Sequence, residues 1–217
     1  MLKIAHRGLS HFFSDNSIKA FEAAIEKKFD MIELDIQLCK TGEIVIYHDI
    51  YVNSKLILDH TLEECKNINI CSLLDFFSLI FEKNKNMKIY LDLKGDYNIS
   101  ESLSIFLEKY KNIINHENVY IASFKKRCIT NLLEIQKKFP IKLGLISCSS
   151  FEKNDMIHIL KNLSFISFDW NVLDNNIIEL IHSYNIQVFT FTCENYFILT
   201  HMRKFNIDGI VTNFHWW

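Results

Sequence analysis

The chain is poor in the residues that punctuate protein structure: one proline and five glycines in 217 residues. It contains neither G-x-G-x-x-G nor G-x-x-x-x-G-K, so no glycine-rich phosphate loop is present and a nucleotide-binding Rossmann fold loses its main support. No segment approaches the ~20 uninterrupted apolar residues of a membrane span. The N-terminal apolar run stops at His6 and Arg7, which argues against a signal peptide. No CxxC pair occurs among the six cysteines (Cys39, Cys65, Cys71, Cys128, Cys148 and Cys193). Several of them sit in apolar surroundings and read as reduced core thiols, which leads us to expect a cytoplasmic protein. No basic stripe stands out and the formal charge is −2, so nucleic acid is not an expected partner.

What the chain does have is apolar residues, 49% of the total, enough for a substantial core. Its length suits one domain, taken here as 1–217. Short apolar runs rich in β-formers recur at 2–6, 31–38, 43–48, 88–93, 119–124, 141–147, 165–170, 186–192 and 209–212. Most are continuous rather than alternating, as expected of parallel strands covered on both faces. Amphipathic stretches separate them: 16–29, 100–114, 126–139, 155–163, 174–184 and 195–205.

Such regular alternation predicts an α/β fold, either a closed (β/α)₈ TIM-type barrel or a doubly wound sheet. Nine strands are one too many for the barrel. Runs 31–38 and 43–48 are joined only by Cys-Lys-Thr-Gly, too short for a parallel crossover. They therefore read as a small β-hairpin inserted after the second strand.

Charged residues gather at the ends of these strands. Glu33 and Asp35 leave the same face of their strand, and two adjacent buried carboxylates need a cation. Oxygen ligands of this kind suit Mg²⁺ or Ca²⁺, although one carboxylate facing outward with a lysine partner also satisfies the pattern. Asp92 and Lys94 repeat the two-residue spacing, either as part of a three-carboxylate site with a phosphate-facing amine or as a strand-end ion pair. His6 and His48 each end a β run. Barrel enzymes assemble their sites at one rim, so the joint set outweighs each member read alone.

In this order the set resembles the glycerophosphodiester phosphodiesterase family. The stretches that carry it are "AHRG", "IELDIQLCKTGEIVIYHD", "LDLKG", "ASF" and "IDGIVTN", spread from residue 4 to residue 213. The resemblance implies a TIM-type barrel that uses a divalent metal, Mg²⁺ or Ca²⁺. It implies hydrolysis of glycerophosphodiesters to glycerol 3-phosphate and an alcohol. By position, His6 and His48 correspond to the acid–base pair, and Glu33, Asp35 and Asp92 to metal ligands. Arg7 and Lys94 correspond to the cations that face the phosphate. Asn16, Ser123, Trp170 and Phe191 are expected to line the site, and strand aromatics packed under helices account equally for the last two.

The sequence departs from the family pattern in several places. "SDNS" stands where Pro-Glu-Asn-Thr is usual, "FTCE" where Trp-Thr-Val-Asn is usual, and Asn213 where Asp is usual. Asp92 replaces a more common Glu, a feature shared with the sphingomyelinase D/phospholipase D branch, a lyase on lysolipids or sphingolipids. That branch has a disulfide loop after its second histidine, and no early cysteine pair follows His48 here. The segment after His48 is short and keeps mainly a helical portion. The altered motifs are the only support for a third reading, a catalytically silent barrel that serves as a binding module. The terminal "FHWW" fits docking on the body, on a partner or on a lipid surface.

Overall fold

A computed structural model describes residues 1–95, 99–149 and 162–215. Eight parallel strands form its centre: β1 (Leu2–Ala5), β2 (Met31–Leu38), β6 (Lys88–Leu93), β7 (Val119–Ser123), β8 (Lys142–Ser147), β9 (Phe165–Asp169), β10 (Gln187–Cys193) and β11 (Gly209–Thr212). Each pairs with the next in chain order, and β1 pairs with both β11 and β2, so the sheet closes. This is the TIM-type barrel, and closure leaves it without exposed strand edges. The ninth run is β3 (Ile44–Ile46), antiparallel to the upper end of β2 with Ile36 opposite Ile46. The hairpin is thus where the short connection requires it.

The helices are α1 (Ile18–Glu26), α2 (Leu62–Asn67), α3 (Leu73–Lys83), α4 (Ile99–Lys109), α5 (Lys126–Gln136), α6 (Asn175–His182) and α7 (Tyr196–Met202). Ser17 caps α1 by accepting from Ala20 N. Thr61 with Glu64 and Ser72 with Asp75 form capping boxes at α2 and α3. The expected helix at 155–163 falls almost wholly outside the described residues.

The segment after His48 departs from expectation. It contains a two-stranded hairpin, β4 (Tyr51–Val52) and β5 (Lys55–Leu56), ahead of the helices. Asn53 and Ser54 form its turn, both with positive φ (50° and 63°), the conformation of a two-residue hairpin loop.

Two apolar layers follow from strand alternation. Ala5, Ile32 and Leu91 point outward and pack under the helices. Ile4, Met31, Tyr90, Tyr120, Phe165, Phe189 and Val211 point inward and fill the barrel. Phe165 sits among Phe189, Tyr90 and Tyr120 at ring-centroid distances of 5.0, 5.2 and 5.4 Å. A Cβ on Gly144 would lie 2.4 Å from the Phe165 ring, so that strand position has to be glycine. Continuing each inward row toward the strand C-termini leads from Ile4 to His6, from Met31 to Glu33 and Asp35, and from Tyr90 to Asp92. The apolar plug thus gives way to charge at one mouth.

Of the six cysteines, Cys39, Cys65, Cys128 and Cys193 are buried, and all six are free thiols. Cys71 is partly buried and Cys148 is exposed, so the core thiols are four of the six. Among the described residues no helix is long and apolar enough to cross a membrane. Phe214 packs on His11 and His215 on Phe29, while Trp216 and Trp217 lie outside the described residues.

Candidate active site

Strand register builds the acidic centre. Asp35 on β2 lies directly opposite Asp92 on β6, and Glu33 is one inward step below Asp35. One oxygen from each of the three lies within 4.8 Å of the others, and all three residues are buried. Burial and the charges of Asp35 and Asp92 push Glu33 well above the usual carboxylate range. Burial, with Asp35 beside it, raises Asp92 to about 6 against the pull of Lys94. Burial also works against the charge on Asp35, but Lys94, Arg7 and Asn16 outweigh it and hold Asp35 below its ordinary value.

Two cations neutralise this centre. Lys94 Nζ lies 2.6 Å from Asp92 Oδ2 and 3.2 Å from Asp35 Oδ1. The strand-end ion pair considered from sequence and the site-facing amine are therefore one and the same arrangement. Arg7 Nε is 3.0 Å from Asp35 Oδ2, without hydrogen-bond geometry, and its Nη1 donates to Asp15 Oδ2 at 2.8 Å. Despite burial, Asp35 and Glu33 hold Arg7 above its ordinary pKa, and Asp92 and Asp35 do the same for Lys94.

The turn after β1 is unusual. Arg7, Gly8 and Asn16 all have positive φ (56°, 78° and 56°). The turn is pinned by Arg7 N donating to Glu33 Oε2 at 2.9 Å and by Asn16 N donating to the Arg7 carbonyl. A Cβ on Gly8 would lie 2.7–2.8 Å from Ala20, which is why the turn packs so close to α1.

The two histidines differ in setting. His6 is half-buried, and its Nδ1 lies 2.6 Å from Asn213 Oδ1, which also accepts from Ser10 Oγ at 3.2 Å. An amide oxygen only accepts, so His6 Nδ1 carries the proton and Nε2 keeps its lone pair. Burial and the adjacent Arg7 charge lower the His6 pKa to about 4. His48 lies two residues beyond β3, not at its end, and its Nδ1 is 2.8 Å from Asp49 Oδ1. His6, Arg7, Glu33, Asp35, His48, Asp92 and Lys94 all border one cleft of about 220 Å³.

Residues 6–215 match the glycerophosphoryl diester phosphodiesterase family. The chain belongs to this family. A glycerophosphodiester phosphodiesterase of Caldanaerobacter subterraneus subsp. tengcongensis is 30% identical, the alignment covering 98% of this chain and 93% of that protein. One from Bacillus altitudinis is 26% identical, covering 99% and 95%. Among solved structures, an Oleispira antarctica phosphodiesterase in complex with the product sn-glycerol-3-phosphate superimposes with a TM-score of 0.85. It is 18% identical, with 98% of this chain and 93% of that chain covered. The glycerophosphodiester phosphodiesterase of Thermotoga maritima superimposes with a TM-score of 0.77 at 24% identity, covering 98% and 94%. As a member of the family, this chain is a phosphoric diester hydrolase.

Within this phosphodiesterase fold the expected lining residues divide. Phe191 borders the cleft. Asn16 lies beneath it, bonded to Asp35, and is not part of its wall. Ser123 is fully buried, donates to the Leu93 carbonyl and borders an adjoining cavity. Trp170 does not reach the cleft. It follows β9 in a short 3₁₀ turn and packs, half-buried, on the outer apolar layer. Sequence reasoning missed Tyr90, Phe124, Ser167 and Thr192 as wall residues, and it noted Glu194 only as a departure. Asn213 as the partner of His6 was also missed. That pairing joins residues 207 positions apart and has no local signal.

The three carboxylates fit a hard divalent ion. Asp92 Oδ1 is buried without a hydrogen-bond partner among the described residues, and like charges crowd Glu33. A cation with oxygen preference relieves both strains.

Proposed function

We propose that the chain hydrolyses glycerophosphodiesters to glycerol 3-phosphate and an alcohol, with His6 and His48 as its acid–base pair. The observation that carries this reading is the single cleft shared by both histidines, both cations and the three carboxylates. The product bound by the Oleispira antarctica neighbour supports the choice of substrate.

Glu33, Asp35 and Asp92 would hold Mg²⁺ or Ca²⁺. Such an ion, when bound, supplies Lewis-acid neutralisation of charge on the phosphoryl oxygens. Arg7 and Lys94 orient the phosphate and offset its charge. His6, neutral at pH 7, takes the proton of the neighbouring glycerol hydroxyl at Nε2 as that oxygen bonds to phosphorus. His48 gives its proton to the departing alcohol oxygen as the second P–O bond breaks. Water then opens the cyclic phosphate with the two histidines in reversed roles, leaving glycerol 3-phosphate. Free cysteines suit a cytoplasmic setting for one barrel domain over 1–217.

The test is release of glycerol 3-phosphate from glycerophosphoglycerol, glycerophosphoethanolamine and glycerophosphocholine with added Mg²⁺ or Ca²⁺. We expect EDTA to abolish it and His6→Ala and His48→Ala to remove it. Activity that survives chelation or both substitutions overturns the reading. A terminal cyclic phosphate from a long-chain lipid would instead favour the phospholipase D-like lyase.

A further inference from the structure

Glu194 borders the same cavity as His6, Arg7 and Lys94, yet its carboxylate makes no hydrogen bond or ion pair among the described residues. The helix that follows does not use it, because Asn195 caps α7 by accepting from Ile198 N. Nor does it join the acidic centre, whose three clustered oxygens come from Glu33, Asp35 and Asp92. Thr192, two residues earlier on β10, lines the same cavity, and its hydroxyl is equally unengaged among the described residues. Polar groups set in a cleft wall without a protein partner leave their bonding capacity to the ligand.

Strand register places Glu194 on the His6 side of the cleft. Cys193 pairs with Thr212, and Thr212 Oγ1 donates to the Cys193 carbonyl at 2.8 Å. Glu194 and Asn213 are the next residues on these neighbouring strands, and Asn213 holds His6 Nδ1. His48 follows β3, on the far side of β1 and β2 in the ring of strands. In the reaction proposed above, His6 takes the proton of the central glycerol hydroxyl, so the glycerol unit and not the leaving alcohol lies beside Glu194. We infer that Glu194, with Thr192 next to it, is the acceptor for the terminal hydroxyl of the glycerol unit and selects fully deacylated glycerophosphodiesters. The inference rests on the activity proposed above and names its substrate class.

The terminal hydroxyl is the one oxygen of the glycerol unit that the reaction leaves untouched. The central oxygen attacks phosphorus, and the third already carries the phosphate. A carboxylate gives the terminal O–H a charge-assisted acceptor. Acylation removes that hydrogen and sets ester oxygens, which only accept, against a group that also only accepts. Sites built to hydrogen-bond a substrate hydroxyl reject the analogue that lacks it. Glu194 keeps much of its surface in solvent, so the discrimination is moderate.

The experiment measures kcat/KM with Mg²⁺ on three esters that share one leaving group: glycerophosphoethanolamine, its analogue with hydrogen in place of the terminal hydroxyl, and its terminal acetate. The wild type should prefer the first over either of the others by about tenfold. Glu194→Ala should lower kcat/KM on glycerophosphoethanolamine by about tenfold, mainly through KM, because the terminal hydroxyl does not react. Its preference over the deoxy analogue should shrink to about twofold or less. Glu194→Gln keeps the shape but can also donate, so it should raise the rate on the acetate, a gain that a folding defect cannot imitate. Equal wild-type rates on all three esters overturn the subsite. So does a preference over the deoxy analogue that Glu194→Ala leaves at its wild-type value, or an acetate rate that Glu194→Gln fails to raise. Cleavage of none of the three overturns the proposed activity, and the subsite with it.

Discussion

Asn16 and Asp35 hold each other through two hydrogen bonds. Asn16 Nδ2 donates to Asp35 Oδ2 at 2.8 Å, and Asp35 N donates to Asn16 Oδ1 at 3.2 Å. Only an amide side chain can give and receive in this way, and asparagine tolerates the φ of 56° that the turn imposes. Asn16 is therefore the brace beneath one of the carboxylates proposed to hold the metal. Asn16→Ala should lower unfolding free energy by about 2–4 kcal/mol, because it orphans a buried N–H and removes a charge-assisted bond. Urea denaturation measures this. Divalent-ion titration of the same variant should show weakened binding.

Removing either histidine should separate chemistry from folding. His6→Ala and His48→Ala should each reduce kcat by about 10²–10⁴. Circular dichroism should stay unchanged for His48→Ala, whose side chain is partly in solvent. Steady-state rates at saturating substrate test this, and a loss below tenfold for either variant would remove it from the acid–base pair.

The centre should also imprint a pH dependence on stability when divalent ions are chelated. Asp92 has a folded pKa of about 6, above its ordinary 3.8, so the folded state holds that proton more tightly than the unfolded state does. Its contribution is then fully present below 3.8 and is lost as pH rises through 6. The displacement corresponds to about 3 kcal/mol. In EDTA, Asp92→Asn should gain on the wild type by up to that amount between about pH 4 and pH 7. Thermal melts across that range decide it, and a constant difference contradicts the raised pKa.

Two glycines with similar backbone angles should respond differently to alanine. Gly42 has φ +88° with nothing within 4 Å of where an added methyl would sit, so only conformational cost remains, about 1–2 kcal/mol. Gly8 has φ +78° and Ala20 backbone at 2.7 Å, so steric overlap adds to that cost. Gly8→Ala should lower the melting temperature by at least twice as much as Gly42→Ala. It should also impair catalysis, since Arg7 and His6 hang from the same turn.

The barrel was legible because its strands are buried on both faces and so appear as unbroken apolar runs. The run Met31–Leu38 matches β2 residue for residue. Glu33, Asp35, Asp92 and Lys94 stood out for a related reason: charges that interrupt apolar strands are costly unless they serve a site. Cross-strand geometry was harder to read. That Asp35 stands opposite Asp92, or that Asn213 meets His6, depends on register and closure between distant segments. The Asn53–Ser54 turn lacks the glycine that usually announces such hairpins, so β4 and β5 went unseen. For Trp170 the sequence left cleft wall and core packing equally open, because nothing in "FDWN" signals the 3₁₀ turn after β9 in which it packs on the outer apolar layer.

The cleft also shows a division of labour along the chain. Every residue proposed to make or break a bond, hold the ion or grip the phosphate lies between His6 and Lys94, on or beside β1, β2, β3 and β6. Phe124, Phe191 and Glu194, from the later strands and the loops that follow them, contribute walls. One half of the barrel is a toolkit and the other a mould. Changes at these later wall positions leave the reactive half untouched, so they offer a way to alter the fit of the alcohol without disturbing the chemistry.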